Sequence, residues 1–438
     1  MNHEILFRMT QEQLNAVADR VVGSGNSCLL PVRCGTGAVT WPSNTVRSSW
    51  TFYQAEEEIP VDGAEGLLKA LDHSHRCIFA PSKADAERYA EYAPTALWAC
   101  WEDGALLVYH LQGEALSPIN VCCVTGDDLY FRFDGKDPMK AADETQTELH
   151  ERTLQAFGAG TTHYLRNLTV AVAGVSGTGS IVAEQLYRLG VKRLVLVDDD
   201  VVEVRNLGRI LNSTTQDARE GTNKALMMKR AFDAIGMNTE VIAAPTVILE
   251  AQTIHLLSQC DALFGCLDSA DGRMQLNRVS TYYCIPYIDL GVRFQTEAGQ
   301  ITGISGAVRY IRPGGASLLG IGAYTTKQLM SESLRREDPE AYRARLNEKY
   351  IEGANEGSPA VISVNMLVSA LGVQELLARL HPFRYTSNSE IEVISVDMCE
   401  PAIPSPSKPG TPDMGLKKHL GEGDCTPLLG LMPRREPK

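Results

Sequence analysis

A glycine-rich turn followed by spaced charges marks the middle of this chain, between Val170 and Asp268. The turn reads Gly174-Val-Ser-Gly177-Thr-Gly179 and follows the apolar segment Leu168-Thr-Val-Ala-Val-Ala173. A turn without Cβ atoms lets phosphate oxygens approach backbone N–H groups at the start of a helix. The pattern therefore predicts a nucleotide site. Close packing of a strand on a helix would also explain it, and the order G-x-x-G-x-G is not the dinucleotide order G-x-G-x-x-G.

Polar residues come directly after the second apolar segment, Arg193-Leu-Val-Leu-Val-Asp198. Asp198 ends this predicted strand, where doubly wound sheets place an acid that binds ribose. Asn206-Leu-Gly-Arg209 follows at the edge of the sheet where ligands bind. The guanidinium of Arg209 can form forked hydrogen bonds to phosphate oxygens.

Two further charges extend this pattern. Lys224 opens a predicted helix and can place an ammonium on the phosphates, while Asp268 follows the buried-strand pattern Leu263-Phe-Gly-Cys-Leu267. A carboxylate in that position suits Mg²⁺, which binds through one or two carboxylates together with phosphate oxygens. Each residue alone is more typical of an ordinary surface charge, but in this order they predict a site for ATP and Mg²⁺.

The elements around these residues alternate between strand and helix, which predicts a mostly parallel, doubly wound α/β sheet of Rossmann type. We expect three parts: a smaller α+β accessory domain over residues 1–140, a nucleotide-binding domain over 141–400, and a Pro/Gly-rich tail over 401–438 that is extended or mobile. The charge-rich segment Ser331–Tyr350 predicts a helical insertion.

Composition points to a cytoplasmic protein. The net charge of −13 argues against a nucleic-acid partner, which requires clustered Lys and Arg. Eleven cysteines without disulfide-like spacing indicate reduced thiols, and no C-x-x-C pair provides for a structural zinc. The first residues lack a signal-peptide pattern, and polar residues interrupt the most apolar late stretch, Ala360–Leu380, so we expect no membrane association.

Residues from about 150 to 400 resemble the ThiF/MoeB/ubiquitin-activating-enzyme (E1-like) adenylation family. The resemblance rests on these stretches: Arg152-Thr-Leu-Gln-Ala-Phe-Gly158, Gly174–Gly179, Asp198-Asp-Asp200, Asn206-Leu-Gly-Arg209, Lys224, Leu267-Asp268-Ser-Ala-Asp-Gly-Arg273 and Pro359-Ala-Val-Ile-Ser-Val-Asn365.

The resemblance implies ATP-dependent adenylation of the C-terminal glycine of a ubiquitin-like protein by a homodimer, with a conjugating enzyme as a further partner. Within it, the nucleotide-binding set is Gly174, Gly177, Gly179, Asp198, Asp200, Asn206, Arg209 and Lys224. Asp198 would hold the ribose, Arg209 and Lys224 the phosphates, and Asp268 the Mg²⁺. Asn206 would be a polar contact near the phosphates. Arg152 matches the arginine with which family members reach the ATP of the partner subunit.

A thioester cysteine is not where relatives often carry one, because Ile285–Met398 contains no cysteine. Cys425, in the polar tail Gly421-Glu-Gly-Asp-Cys425, is the candidate that remains, followed by Cys399. Both are also compatible with spare thiols.

The accessory domain contains His73-Ser-His75 and Ser82-Lys-Ala-Asp85, which resemble the H-x-H and S-x-x-D motifs of JAB-type metalloproteases. Arg76 stands where such motifs have proline, and the spacing to Ser82 is one residue short. We interpret this domain as an inactive JAB-like module that docks a partner or the dimer mate, and an active zinc peptidase and a different fold stay open as alternatives.

Activation of a ubiquitin-like protein, in a bacterial conjugation pathway, is thus the leading hypothesis. Three alternatives stay open at this point: a sulfur-carrier-protein adenylyltransferase for cofactor synthesis or thio-modification, a non-catalytic scaffold of the same fold, and an NAD-dependent oxidoreductase.

Overall fold

The computed structural model describes residues 2–21, 28–55, 57–71, 76–102, 104–140, 148–297, 300–347, 361–400 and 404–423. The chain forms two compact units. The first comprises Met1–Tyr164, Thr281–Ile285 and His419–Lys438, and the second comprises Leu165–Ser280 and Pro286–Lys418.

The first unit is built on a mixed sheet with helices beside it. Its strands are β1 (Asn2–Thr10), β2 (Cys28–Thr40), β3 (Thr45–Ala55), β4 (Ile59–Pro60), β5 (Arg76–Ala80), β6 (Leu97–Glu102), β7 (Ala105–Gln112), β8 (Ala115–Pro118), β9 (Val121–Thr125) and β10 (Leu129–Phe133). Its helices are α1 (Gln11–Val21), α2 (Ala64–Ala70), α3 (Lys83–Tyr89) and the first part of α4 (Glu151–Asn167). The strand order is β10-β9-β1-β3-β2-β5-β6-β7-β8, and β4 pairs with β2.

Two apolar cores lie in this first unit, and β5 contributes to both. Cys77 and Phe79 belong to one core together with residues of α1, whereas Ile78 and Ala80 belong to the other together with residues of α2 and α3. Because successive strand residues point to opposite faces, this alternation means that the sheet is covered on both sides at β5.

The second unit contains the predicted doubly wound sheet. Its strands are β11 (Thr169–Ala173), β12 (Arg193–Val197), β13 (Glu240–Ala244), β14 (Ala262–Gly265), β15 (Tyr287–Glu297), β16 (Gln300–Ile311), β17 (Val393–Asp397) and β18 (Ser405–Ser407). Helices lying wholly or mostly here are α5 (Gly177–Leu189), α6 (Thr215–Glu220), α7 (Lys224–Ile235), α8 (Ala251–Ser258), α9 (Ala270–Tyr283), α10 (Thr326–Glu337), α11 (Pro339–Asn347), α12 (Ile362–Leu380) and α13 (Met414–Lys417).

The order of this second sheet is β13-β12-β11-β14-β15-β16-β17-β18. Pairing is parallel from β13 to β15 and antiparallel from β15 to β18. Every residue of β11, β12 and β14 is buried, as expected for parallel strands that are covered on both faces. The mostly parallel α/β fold predicted from the sequence is therefore confirmed.

Two segments considered in the sequence can be described in more detail. The charge-rich insertion forms two helices, α10 and α11, because Pro339 begins a new helix and cannot continue the old one. The proline-rich tail, expected to be extended or mobile, contributes the short strand β18, which pairs with β17. No helix within the described ranges is long and apolar enough to cross a membrane.

Candidate functional site

The central strand of the parallel sheet is β11, with β12 on one side and β14 on the other. The register places Ala173 opposite Val197 and Gly265, and Gly265 opposite Asp289. These strand ends form one row, so the loops that follow them emerge at the same edge. Chain order reverses between β11 and β14, which is the switch point where open α/β sheets bind ligands.

The glycines of the turn after β11 lie in close contact with other parts of the protein. Gly174 has a left-handed φ of 85°, and a Cβ on it would lie 2.7 Å from the carbonyl oxygen of Cys266. A Cβ on Gly179 would lie 1.7 Å from the carbonyl oxygen of Gly174, an impossible contact. A Cβ on Gly177 would lie 2.3 Å from Nδ2 of Asn365. The glycines thus let the turn fold tightly against β14 and α12.

Helix α5 starts at this turn without a side-chain cap, since the hydroxyl of Ser176 accepts no hydrogen bond from the first turn. Ser369 of α12 holds the same turn from its other side by donating a hydrogen bond to the carbonyl oxygen of Thr178 (3.0 Å). The N–H groups and the positive end of the helix dipole suit an anion. This helix start therefore fits a phosphate group.

Asp198, just beyond β12, is buried and shapes the turn. Its Oδ2 accepts a hydrogen bond from Val175 N–H (2.6 Å), and its Oδ1 accepts one from Asp200 N–H (2.9 Å). Burial raises the pKa of the Asp198 carboxyl, while the nearby ammonium of Lys224 acts in the opposite direction. A carboxylate has about four acceptor positions, so two bonds leave capacity for a ligand hydroxyl.

Lys224 and Asp200 form an ion pair with unequal exposure. The Lys224 ammonium lies 2.7 Å from Oδ2 of Asp200, and the lysine side chain is 7% exposed while the aspartate side chain is 71% exposed. Asn223 precedes the lysine and caps α7, accepting hydrogen bonds from the N–H groups of Ala225 and Leu226. The cap and the ion pair together fix a buried positive charge at this edge.

Arg209 lies over the glycine turn, since a Cβ on Gly177 would be 3.2 Å from Cδ of Arg209. Its guanidinium donates a hydrogen bond to the carbonyl oxygen of Arg205 (3.0 Å). Asn206 is buried, and its Oδ1 accepts a hydrogen bond from Glu203 N–H (3.0 Å). Asn206 therefore stabilises the loop that carries Arg209.

Asp268 is exposed and lies between the end of β14 and the start of α9. The loop begins with a hydrogen bond from Cys266 N–H to the carbonyl oxygen of Ala173 (2.8 Å), which ties it to β11. Burial raises the pKa of the Cys266 thiol, so this cysteine is protonated near neutral pH and is a poor nucleophile.

A buried charge cluster beside this loop did not emerge from the sequence. Asp289 of β15 is fully buried, and its carboxylate lies 3.2 Å from Nε of Arg273 and 2.9 Å from a guanidinium nitrogen of Arg309. The hydroxyl of Tyr287 donates to it at 3.0 Å. Arg273 also lies within electrostatic reach of Asp268, so the cluster and the loop are coupled by charge. The signal in the sequence for this cluster was an acidic residue within the apolar run Tyr287-Ile-Asp-Leu290.

The remaining predicted residues lie elsewhere. Arg152 is in the first unit, on α4, where it is exposed and donates a hydrogen bond to Oε1 of Gln155 (2.9 Å). Cys399 is exposed. Cys425, His73 and His75 are outside the described residues. Ser82 caps α3 and donates to Oδ2 of Asp85 at 2.6 Å.

Within the described ranges, no group of three or more His, Cys, Asp or Glu side chains could hold a metal ion. Asp268 offers one exposed carboxylate, which matches the hard oxygen ligands that Mg²⁺ uses when phosphate supplies the others.

Known proteins resemble parts of this chain. Ubiquitin-like modifier-activating enzyme 5 of Drosophila willistoni is 28% identical over 162 residues, covering 34% of this chain and 37% of that protein. The protein of the same name from Bombyx mori is 28% identical over 158 residues, covering 34% and 38%. The chain thus spans well under half the length of the curated relatives it matches.

Solved structures are more distant. E. coli MccB with ATP is 18% identical with a TM-score of 0.44, covering 61% of this chain and 74% of that one. E. coli tRNA N6-threonylcarbamoyladenosine dehydratase, TcdA, is 18% identical with a TM-score of 0.38, covering 53% and 93%. Neither likeness carries an argument about activity. The ThiF family model, however, matches residues 150–395, more than half of the chain, and the chain therefore belongs to the ThiF family.

Proposed function

We propose that this protein uses ATP to adenylate the C-terminal carboxylate of a ubiquitin-like protein. The observation that carries the proposal is the set of loops at one edge of the parallel sheet. They bring together an uncapped helix start at α5, the buried acid Asp198, the cations Arg209 and Lys224, and the exposed acid Asp268. A dinucleotide-dependent oxidoreductase would not require the last three residues.

Each residue has a distinct role in this proposal. Asp198 accepts hydrogen bonds from the ribose hydroxyls, and the N–H groups at the start of α5 receive phosphate oxygens. Lys224 offers a fixed positive charge, and its present partner Asp200 is already solvated, so an incoming phosphate can replace that partner at low cost. Arg209 would turn from the carbonyl oxygen of Arg205 to a phosphate oxygen.

Mg²⁺ would be held by Asp268 together with phosphate oxygens, and it would neutralise negative charge as the pyrophosphate leaves. The reaction itself forms a bond between a carboxylate oxygen of the substrate and the α-phosphorus of ATP. The bond to the β-phosphate oxygen breaks, and pyrophosphate departs. No general base is needed, because a terminal carboxylate is already ionised near neutral pH. Positioning and charge stabilisation therefore account for the chemistry.

Further residues take part in the proposal. Arg152 would reach the ATP of a second subunit in a homodimer. Cys425 is kept as the thioester candidate, with Cys399 next. The first unit would be an inactive JAB-like docking module, and the protein would act in the cytoplasm of a bacterium.

The test is ATP–pyrophosphate exchange in the presence of Mg²⁺ and a panel of purified ubiquitin-like proteins. Each protein that ends in glycine is paired with the same protein lacking that residue. Exchange should require the intact terminus, and Asp268→Ala should abolish it. The matched control is Asp233→Ala, which removes an exposed aspartate that pairs with Lys229 on the surface of α7 and should leave exchange unchanged.

Two results would reject parts of the proposal. A rise in melting temperature with NAD but not with ATP and Mg²⁺ would reject the ATP site. Normal ATP binding without exchange for any member of the panel would reject ubiquitin-like proteins as substrates.

A further inference from the structure

The first turn of α9 is held by a carboxylate from another helix. Oε2 of Glu332, on α10, accepts a hydrogen bond from Asp271 N–H (2.9 Å). Ser269 supplies a second contact, since its hydroxyl accepts a hydrogen bond from Gly272 N–H (3.2 Å). Asp268, the proposed ligand for Mg²⁺, is the residue directly before Ser269.

The location of this contact at a helix start favours it. The first N–H groups of a helix have no partner within the helix, and the helix dipole attracts negative charge there. Glu332 is half-buried, which reduces screening by water. Its own helix starts at a capping box between Thr325 and Gln328, so the carboxylate projects from an ordered segment. The charges acting on Glu332 come from Asp268, Arg273 and Arg335.

The position of Asp268 depends on the two elements that flank it. On one side, β14 pairs with β11 and β15, and Cys266 is bonded to Ala173. On the other side, the loop ends where α9 begins. A shift in the first turn of α9 would move Asp268, whereas β14 would stay in place.

We propose that Glu332 is a positioning residue that fixes the start of α9 and thereby sets the Asp268 carboxylate for Mg²⁺ bound with ATP. The inference rests on the proposed nucleotide site. It also gives the insertion formed by α10 and α11 a specific task, the support of the metal-binding loop from outside the doubly wound sheet.

A direct metal ligand at Glu332 is the competing explanation, and the two differ in what glutamine can replace. The amide oxygen of Gln can still accept the hydrogen bond from Asp271 N–H. It lacks the negative charge that a metal ligand supplies. Glu332→Gln should therefore retain function if Glu332 positions the loop, and lose it if Glu332 binds the metal.

The experiment measures binding of a non-hydrolysable ATP analogue by calorimetry across a Mg²⁺ titration, for the full chain and three variants. Glu332→Ala should raise the Mg²⁺ concentration for half-maximal binding by about tenfold, the usual effect of removing a residue that supports a metal ligand. Glu332→Gln should stay near the wild-type value. Glu340→Ala, an exposed glutamate on α11, is the matched control and should not differ from wild type.

A second readout needs no ligand. Hydrogen exchange of the amides from Ala270 to Arg273 should be faster in Glu332→Ala than in wild type and nearly unchanged in Glu332→Gln. A melting curve for each variant establishes that it is folded.

The outcomes separate the two proposals. Unchanged Mg²⁺ dependence in Glu332→Ala, with normal wild-type binding, overturns the role of Glu332 alone. An equal loss in Glu332→Gln and Glu332→Ala overturns positioning in favour of metal ligation. Failure of the wild-type protein to bind the analogue at any Mg²⁺ concentration overturns the nucleotide site, and the inference falls with it.

Discussion

The starts of α5 and α9 occupy equivalent places in the fold but are built differently. Both helices follow neighbouring parallel strands, β11 and β14, and both begin at the same edge of the sheet. Side chains tie down α9, where Ser269 and Glu332 accept hydrogen bonds from its first turn. At α5 the side chain of Ser176 makes no such bond, and glycines form the turn.

One sheet edge can therefore offer two kinds of site. A helix start whose N–H groups are not capped by a side chain can receive an external anion, which suits a phosphate. A helix start satisfied from within serves as a rigid support for the side chain that precedes it. Substitutions at the two helix starts should therefore have different consequences.

The largest effect should come from Gly179→Ala. The new Cβ would overlap the carbonyl oxygen of Gly174 at 1.7 Å, and only a backbone shift can relieve that overlap. We expect a loss of about 3 kcal/mol or more in the free energy of unfolding, at the upper end of overpacking effects. Urea denaturation measures this loss of stability, and ATP binding should be lost as well.

The control for this substitution is Gly66→Ala in α2. A methyl group on the Cα of Gly66 would meet no atom within 4 Å beyond its chain neighbours and the backbone of its own helix, and Gly66 lies within α2 without a left-handed φ. Alanine there should stabilise the helix by about 1 kcal/mol or less. Equal stability of Gly179→Ala and wild type would show that the turn is not tightly packed.

The start of α6, which contains Asp217, allows a comparison with a helix start outside the proposed site. This buried residue lies in the first turn of α6, accepts hydrogen bonds from Thr214, and pairs with both terminal nitrogens of Arg230 at 2.7 and 2.9 Å. The hydrogen bonds from Arg230 hold the pKa of the Asp217 carboxyl well below its ordinary value. Asp217→Asn should lower the free energy of unfolding by about 2 kcal/mol at pH 7 without changing the affinity for ATP.

The pH dependence of this effect has a definite sign. A carboxyl whose pKa is lower in the folded protein stabilises it above the unfolded pKa of about 4, and the stabilisation is lost as the pH falls through the folded value. The stability difference between wild type and Asp217→Asn should therefore be full at pH 7 and shrink below about pH 4. A difference that grew on acidification would contradict the ion pair.

The smallest effect comes from a matched pair of serines. Ser269→Ala removes the hydroxyl that caps α9 and should lower the free energy of unfolding by about 1 kcal/mol, the usual value for a lost cap. Ser176→Ala should lower the free energy of unfolding by only a few tenths of the loss in Ser269→Ala, because the side chain of Ser176 caps nothing in α5. Thermal or urea unfolding of both variants gives the comparison, and equal losses would mean that the two helix starts are alike.

Much of the second unit was predictable because its signals are local. The buried strands β11, β12 and β14 are continuous apolar runs, and Asp198 and Asp268 follow two of them at the expected edge. The glycines of the turn were also evident. The structural reason for these glycines was harder to predict, because a contact such as that of Gly177 with Asn365 joins residues that are far apart in the chain.

Contacts between distant segments explain the rest of what the sequence did not reveal. Asp289 meets Arg273 and Arg309 only after β15 and β16 pair and α9 packs beside them. Glu332 lies in a charge-rich segment typical of a solvated helix, and nothing local marks it as the partner of Asp271. Side-chain pairings of this kind depend on tertiary structure, which hydropathy patterns do not encode.

Strand β18 has a consequence for how the molecule behaves toward other copies of itself. It closes the outer side of β17 with only three residues, and one of them is Pro406, which lies opposite Ile394. Proline has no N–H to offer to a further strand, and a short border strand gives little for another chain to extend. Pro406 therefore leaves the middle position of β18 without an N–H donor, so that a strand of a second copy would find few hydrogen-bonding groups at this border.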